Sequence, residues 1–86
     1  MNILDQLIDE LGDETVVYPE FEDCLIGYVE DFGKPRRAVY DKDKVIEKLC
    51  LELTHIEAIE HYYYKILGGY IGETTPSFIT ILKDEK

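Results

Sequence analysis

Residues Thr54–Phe78, THIEAIEHYYYKILGGYIGETTPSF, contain the densest structural pattern in the chain. Thr54 and Glu57 have the spacing of a capping box, in which each side chain accepts a hydrogen bond from the other residue's backbone N–H. The segment therefore predicts a helix that begins at Thr54. Apolar residues at helical spacing predict its buried face, which comprises Ile56, Ile59, Tyr63, Ile66 and Leu67.

The end of this helix is marked by glycine. Gly68 is predicted at the position after the last turn, where a left-handed residue closes a helix. Gly72 is expected to turn the chain, and Pro76 to precede a strand over residues 78–82. Tyr64 is predicted to point outward, and exposed tyrosine is a favoured anchor in protein interfaces.

Two further helices are predicted upstream of this segment. Residues 2–11 repeat apolar side chains at helical period between a capping residue, Asn2, and a terminating residue, Gly12. Residues 43–53 repeat the same pattern after Asp41 or Asp43, either of which has the chemistry of an N-cap.

Strands are predicted between the first two helices. Residues 24–30 and 36–40 form a hairpin around the turn sequence DFGKP, and residues 15–18 form a short edge strand limited by Pro19. The order α-β-β-β-α-α-β indicates one α+β domain over residues 1–86, with helices packed on a small antiparallel sheet of three or four strands. Residues 83–86 are expected to be a frayed tail.

Charge is distributed very unevenly along the chain. The net charge of −10 arises within residues 1–33, which hold ten acids and no Lys or Arg, whereas residues 34–86 hold nine acids and nine bases. Such a field repels nucleic acid and anionic lipid and attracts basic surfaces. Solubility is the alternative explanation for the same charge.

The cellular setting is predicted from cysteine usage and hydropathy. Cys24 and Cys50 lie in apolar sequence and are expected to be buried free thiols in a reducing compartment. The first residues, MNILDQLIDEL, lack the basic region of a signal peptide, and no apolar run reaches the ~20 residues of a membrane span. We therefore expect a cytoplasmic protein.

The sequence gives little support for catalysis, and no cofactor or metal is expected. One serine and two histidines do not form a recognisable nucleophile and base. Glu57 and His61 are four residues apart and could supply half of a zinc site, but such a site needs three or four protein ligands. The glycines at 68, 69 and 72 follow a helix instead of opening one, so they predict a helix stop and not a phosphate loop.

Three segments carry a resemblance to a known group. FEDCLIGYVED, then AVYD with KVIEKL, then EAIEHYYYKILGGYIGETTPSF resemble small proteins encoded by bacteriophages and prophages. Their pattern is F-[DE]-D-x-[IL]-I-G, then V-Y-D, then E-A-I-E and G-x-Y-[IV]-G-E-x-T-P-x-F. The resemblance covers residues 21–79, with departures at Lys65, where Asn is common, and Gly69, where Ala is common.

The resemblance implies a setting but no catalytic residues, because the group has no settled activity. A phage-linked protein would act in the cytoplasm of a bacterial host. Small acidic proteins of this setting are often antagonists of host defence, including anti-CRISPR proteins that occupy the nucleic-acid path of a nuclease. This step is an analogy between settings.

The sequence-based hypothesis is thus a non-enzymatic inhibitor that occupies the basic groove of a nucleic-acid-binding defence protein, such as a CRISPR effector, by acidic mimicry of DNA. It requires no direct contact with nucleic acid or membrane. The predicted partner-binding residues are Asp5, Asp9, Asp13, Glu20, Glu22, Asp23, Glu30, Asp31 and Tyr64. The alternative is a structural or regulatory phage accessory module that self-associates, as a homodimer, through apolar surface.

Overall fold

Helices and strands follow one another in the order α-β-β-α-α-β in the computed structural model, which describes residues 2–12, 15–69 and 72–83. The elements are α1 (Ile3–Leu11), β1 (Leu25–Val29), β2 (Arg37–Asp41), α2 (Lys42–Leu49), α3 (His55–His61) and β3 (Ser77–Ile79). A 3₁₀ helix, Pro19–Cys24, precedes β1, and α3 continues directly into a π-helix, Tyr62–Leu67. The α+β class is therefore confirmed.

The sheet is mixed, so the expectation of a purely antiparallel sheet is wrong. Its strand order is β1-β2-β3, and β1 and β2 form the predicted antiparallel hairpin. β3 instead runs parallel to β2. The chain leaves β2 through α2 and α3 and returns beside β2 in the same direction, which is the crossover connection that parallel strands require.

The strand predicted over residues 15–18 does not form. These residues belong to no strand, and Pro19 begins the 3₁₀ helix immediately after them. The backbone N–H of Tyr18 donates instead to the hydroxyl of Tyr40 across 2.7 Å. A side-chain acceptor therefore takes the hydrogen bond that a neighbouring strand would otherwise provide.

Both ends of α1 are as predicted. The Asn2 side chain accepts a hydrogen bond from the backbone N–H of Asp5 at 2.8 Å. Gly12 ends the helix with a φ of 93°, and its N–H donates to the carbonyl of Ile8 at 2.7 Å. A positive φ of this size favours glycine because it lacks a Cβ atom.

The starts of α2 and α3 are also confirmed. Asp41 caps α2 by accepting from the backbone N–H groups of Asp43 and Lys44. Thr54 and Glu57 form the predicted capping box, with distances of 3.2 Å for Glu57 N to Thr54 Oγ1 and 3.0 Å for Thr54 N to Glu57 Oε1. α2 ends at Leu49, four residues earlier than predicted.

The predicted buried face of the third helix is largely wrong. Ala58, Tyr62 and Ile66 point into the core, whereas Tyr63 is 47% exposed. Spacings of four would drift around an α-helix, since each fourth residue overshoots by about 40°. The π-helix has wider turns, shown by the Gly68 N–H that donates to the Tyr63 carbonyl five residues back at 3.1 Å. The wider turn offsets the drift and keeps the three core residues in line.

Gly68 does not adopt the predicted left-handed conformation, because its φ is −76°. Glycine is nevertheless suited to this position. A Cβ atom there would lie 2.9 Å from the Tyr64 carbonyl oxygen and 3.0 Å from that of Tyr63. The residue therefore allows the close approach of the last π turn, instead of supplying a positive φ.

Aromatic rings connect the helices to the sheet. Leu25, Tyr40 and Phe78 lie directly opposite one another across the three strands. The Phe78 ring centroid is 5.8 Å from that of Tyr40 and 5.5 Å from that of Tyr62, the latter in an edge-to-face arrangement. Burial of these rings and their edge-to-face contacts stabilise the packing of the π-helix on β3.

Candidate partner-binding surface

Every described acid of the predicted binding set is exposed to solvent. This holds for Asp5, Asp9, Glu20, Glu22, Asp23, Glu30 and Asp31, which we call the acidic surface. The two remaining members of the set are treated separately, since Tyr64 lies elsewhere on the chain and Asp13 lies outside the described residues. Exposure leaves these carboxylates accessible to a partner.

One end of the acidic surface lies beside the first turn of α1. Glu22 and Asp23, from the 3₁₀ helix, border a shallow surface depression together with residues 2–4. Asp5 belongs to the same first turn of α1, and Asp9 follows it four residues later, a rise of about 6 Å along the helix. The 3₁₀ helix thus brings Glu22 and Asp23 against the first turn of α1, to which Asp5 belongs.

The other end lies near the C-terminal part of α1. Glu30 and Asp31 directly follow β1, in the connection to β2. The guanidinium of Arg36, in the same connection, donates to the backbone carbonyl of Glu10 at 3.2 Å. This contact holds the connection against α1, so acidic residues flank α1 at both ends.

Two cations form ion pairs with members of the acidic surface. Lys48 Nζ lies 2.9 Å from Asp23 Oδ1, and the hydrogen bond lowers the pKa of the Asp23 carboxyl and raises the pKa of Lys48. Arg37 lies 3.3 Å from Asp31. Within the described ranges, no ion pair with a side-chain nitrogen of Lys or Arg within 4.0 Å is formed by the other members, which are Asp5, Asp9, Glu20, Glu22 and Glu30.

Tyr64 is 81% exposed, as the sequence predicts, and it lies on the π-helix, outside the elements that carry the seven acids. Its neighbours in a surface depression are side chains of α3 and the π-helix, namely Glu57, Glu60, His61 and Lys65. Two of these neighbours, His61 and Lys65, also border a depression that contains Glu20 of the acidic surface.

Sequence reasoning missed the exposed apolar side chains beside Tyr64. Ile56, Tyr63 and Leu67 were predicted to be buried, yet they are 70%, 47% and 46% exposed. The spacing of Ala58, Tyr62 and Ile66, four residues each time, was the signal for the wider helix. That signal was obscured because the period of an α-helix fits another set of apolar residues better, namely Ile56, Ile59, Tyr63 and Leu67.

The cysteines are free thiols in different environments. Cys24 is buried, and desolvation together with the nearby Asp23 carboxylate raises the pKa of its thiol to about 11. Cys50 is exposed, contrary to the prediction, because α2 ends just before it. Its Sγ atom lies 3.9 Å from Nδ1 of His55.

Glu57, the acid of the Glu57/His61 pair considered for zinc, has a structural role in the helix cap. The Glu57 carboxylate accepts the backbone N–H of Thr54 in the capping box, and these hydrogen bonds lower the pKa of Glu57. In the portion of the chain described, no three His, Cys, Asp or Glu residues are grouped as metal ligands. The described helices are all too short or too polar to cross a bilayer.

Comparisons of the chain with protein-family models, with curated proteins and with solved structures find no match. The functional interpretation therefore depends on the charge, exposure and contacts of the residues described above.

Proposed function

We propose that the protein inhibits a host defence nuclease, such as a CRISPR effector, by placing the acidic surface in its basic nucleic-acid groove. The observation that carries this proposal is the exposure of the seven acids, five of which form no ion pair with a Lys or Arg in the described ranges. The resemblance to phage-encoded proteins supports the choice of partner.

The spacing of the acids favours charge attraction over a close copy of DNA. Asp5 and Asp9 are separated by a rise of about 6 Å, whereas each strand of duplex DNA carries a phosphate about every 3.4 Å. Lys48 and Arg37 further reduce the local negative charge. The acidic surface would therefore attract and cover a basic groove without matching its phosphate sites one by one. Such association is fast at low ionic strength and slows as salt screens the charges.

Competition with DNA tests this proposal. Purified CRISPR effector nucleases are each loaded with guide RNA and titrated with the protein at two salt concentrations. Fluorescently labelled target DNA is then added, and its binding is measured. We expect the wild-type protein to prevent DNA binding by a susceptible effector, and the Asp5→Lys/Asp9→Lys/Glu22→Lys variant to lose this effect. Asp23 is left unchanged because its reversal would oppose Lys48.

A matched control separates the acidic surface from net charge. The variant Asp43→Lys/Glu60→Lys/Glu73→Lys changes the net charge by the same amount, at exposed positions in the charge-balanced part of the chain. It should retain inhibition. Equal loss in both variants, full inhibition by the first variant, or absence of inhibition for every effector would contradict the proposal. Circular dichroism verifies that both variants are folded.

A further inference from the structure

An apolar stripe lies on the solvent side of the third helix. It consists of Ile56, Tyr63, Tyr64 and Leu67, whose exposed fractions range from 46% to 81%. From Ile56 to Leu67 the stripe extends over about 16 Å of α3 and the π-helix. Tyr63, Tyr64 and Leu67 lie close together on the π-helix, and Ile56 lies about two turns earlier, with Glu60 between them. Exposed apolar side chains grouped on one face typically mark an interaction surface.

Charged side chains beside this stripe are separated by sign along the helix. Glu57 and Glu60 lie in its N-terminal half and Lys65 lies in its C-terminal half, and all three border one depression with Tyr64. An antiparallel copy of the same helix would place its lysine against the two glutamates, and the symmetry would form this contact twice. A parallel copy would instead oppose like charges.

The apolar residues fit the same arrangement. A two-fold axis that passes near His61 sets Glu57 opposite Lys65 of the second copy, because both are four residues from the axis. The same axis brings Ile56 close to Leu67 of the second copy, at opposite ends of the stripe. One alignment therefore satisfies both the charges and the apolar contacts.

Tyr63 is already held in place for such packing. Lys42 Nζ donates to the Tyr63 hydroxyl at 2.9 Å and lies 5.1 Å from the centroid of its ring. A side chain fixed before association loses less conformational entropy on binding. The Lys42 contact thus lowers the entropic cost of packing Tyr63 in an interface.

From these observations we infer that the protein forms a two-fold symmetric dimer in which the apolar stripes of two copies pack antiparallel, with Lys65 of each copy against Glu57 and Glu60 of the other. This interface lies in the charge-balanced part of the chain. It does not depend on the acidic surface or on the function proposed for it.

Sedimentation equilibrium of the full chain measures the dimer directly. We expect Ile56→Asp/Leu67→Asp to raise the dimer dissociation constant roughly 100-fold or more, because two apolar contacts per copy are replaced by charges. The control Phe32→Asp/Leu82→Asp adds the same charges at side chains that are 106% and 89% exposed. It should leave the constant unchanged. A concentration of about 0.1 mM is high enough to populate even a weak dimer. A wild-type protein that is monomeric at this concentration would overturn the dimer, and so would equal weakening by the control.

Charge exchange tests the antiparallel alignment. Lys65→Glu and Glu60→Lys should each weaken the dimer, and the double variant should recover part of the lost affinity, because positions 60 and 65 again carry opposite charges while Glu57 remains acidic. Glu60 is chosen because Glu57 caps α3. If the double variant is as weak as the single variants while circular dichroism shows a native fold, this alignment is wrong.

Discussion

The Lys48 ammonium lies 2.9 Å from the Asp23 carboxylate and so connects α2 to the 3₁₀ helix at the edge of the acidic surface. Both side chains are exposed, at 38% and 68%. Exposed ion pairs contribute little to stability because water and salt screen them. The more important consequence of this pair is electrostatic, since it places a positive charge among carboxylates that would otherwise attract a basic partner.

Replacement of Lys48 by Gln should therefore strengthen binding to the basic effector identified by the competition experiment. The association rate should increase at low salt, and the increase should shrink at high salt. Stopped-flow fluorescence measures the association rate at both salt concentrations. Lys83→Gln is the matched control, because it removes the same charge beyond β3 and should have a smaller effect. If Lys48→Gln slows association, the acidic surface is not the contact region.

Tyr40→Phe should destabilise the protein by about 1 kcal/mol, since the backbone N–H of Tyr18 would lose its acceptor while the packing of the ring is preserved. Tyr40 is almost fully buried, so water does not readily replace the hydroxyl. Urea unfolding monitored by circular dichroism measures the difference in the free energy of unfolding. Tyr64→Phe, at an exposed ring, should leave the free energy of unfolding unchanged, and equal values for the two variants would contradict the role of the Tyr40 hydroxyl.

The capping box should make stability depend on pH. The hydrogen bonds from Thr54 lower the pKa of Glu57 below its ordinary value of 4.5, so the folded state favours the ionised carboxylate. Its contribution is present above about pH 4.5 and is lost as pH falls through the lower folded pKa.

Glu57→Gln isolates this effect, because glutamine keeps the capping geometry but does not titrate. We expect the melting temperature of the wild-type protein to exceed that of the variant near pH 6 and the difference to disappear near pH 3. Calorimetry at several pH values measures it. A difference that persists unchanged at low pH would show that the carboxylate charge is not involved.

The two thiols should react at very different rates. Cys50 is exposed, whereas Cys24 is buried with a thiol pKa of about 11, so its reactive thiolate is scarce at pH 8. One equivalent of a thiol reagent should react rapidly with the native protein and two with the unfolded protein. Cys50→Ser should abolish the fast phase. Rapid labelling of Cys24 in that variant would show that its site opens readily.

The features that sequence predicted correctly are local. The capping box at Thr54, the Asn2 cap and the hairpin all depend on residues a few positions apart, where side-chain chemistry and spacing determine the contact. The direction of β3 depends on the path of the chain through two helices, and the alternation of a short strand does not encode direction. The parallel pairing with β2 was therefore not accessible from the pattern.

The candidate binding surface likewise combines features that are local in sequence with features that depend on tertiary packing. Exposure of the acids follows from their charge and was predictable residue by residue. The pairing of Asp23 with Lys48, 25 residues away, depends on how α2 packs against the 3₁₀ helix. The burial of Tyr62 instead of Tyr63 was missed because a constant α-helical period was assumed where the helix widens.

The π-helix over Tyr62–Leu67 has a consequence for how this chain could have changed in length. A π turn is equivalent to one residue inserted into an α-helix. Without Tyr64, the core positions 58, 62 and 66 would be spaced by four and then three residues, which an ordinary α-helix also places on one face. The extra residue is thus accommodated without rearrangement of the core, and what the chain gains by the insertion is an additional tyrosine on its outer surface.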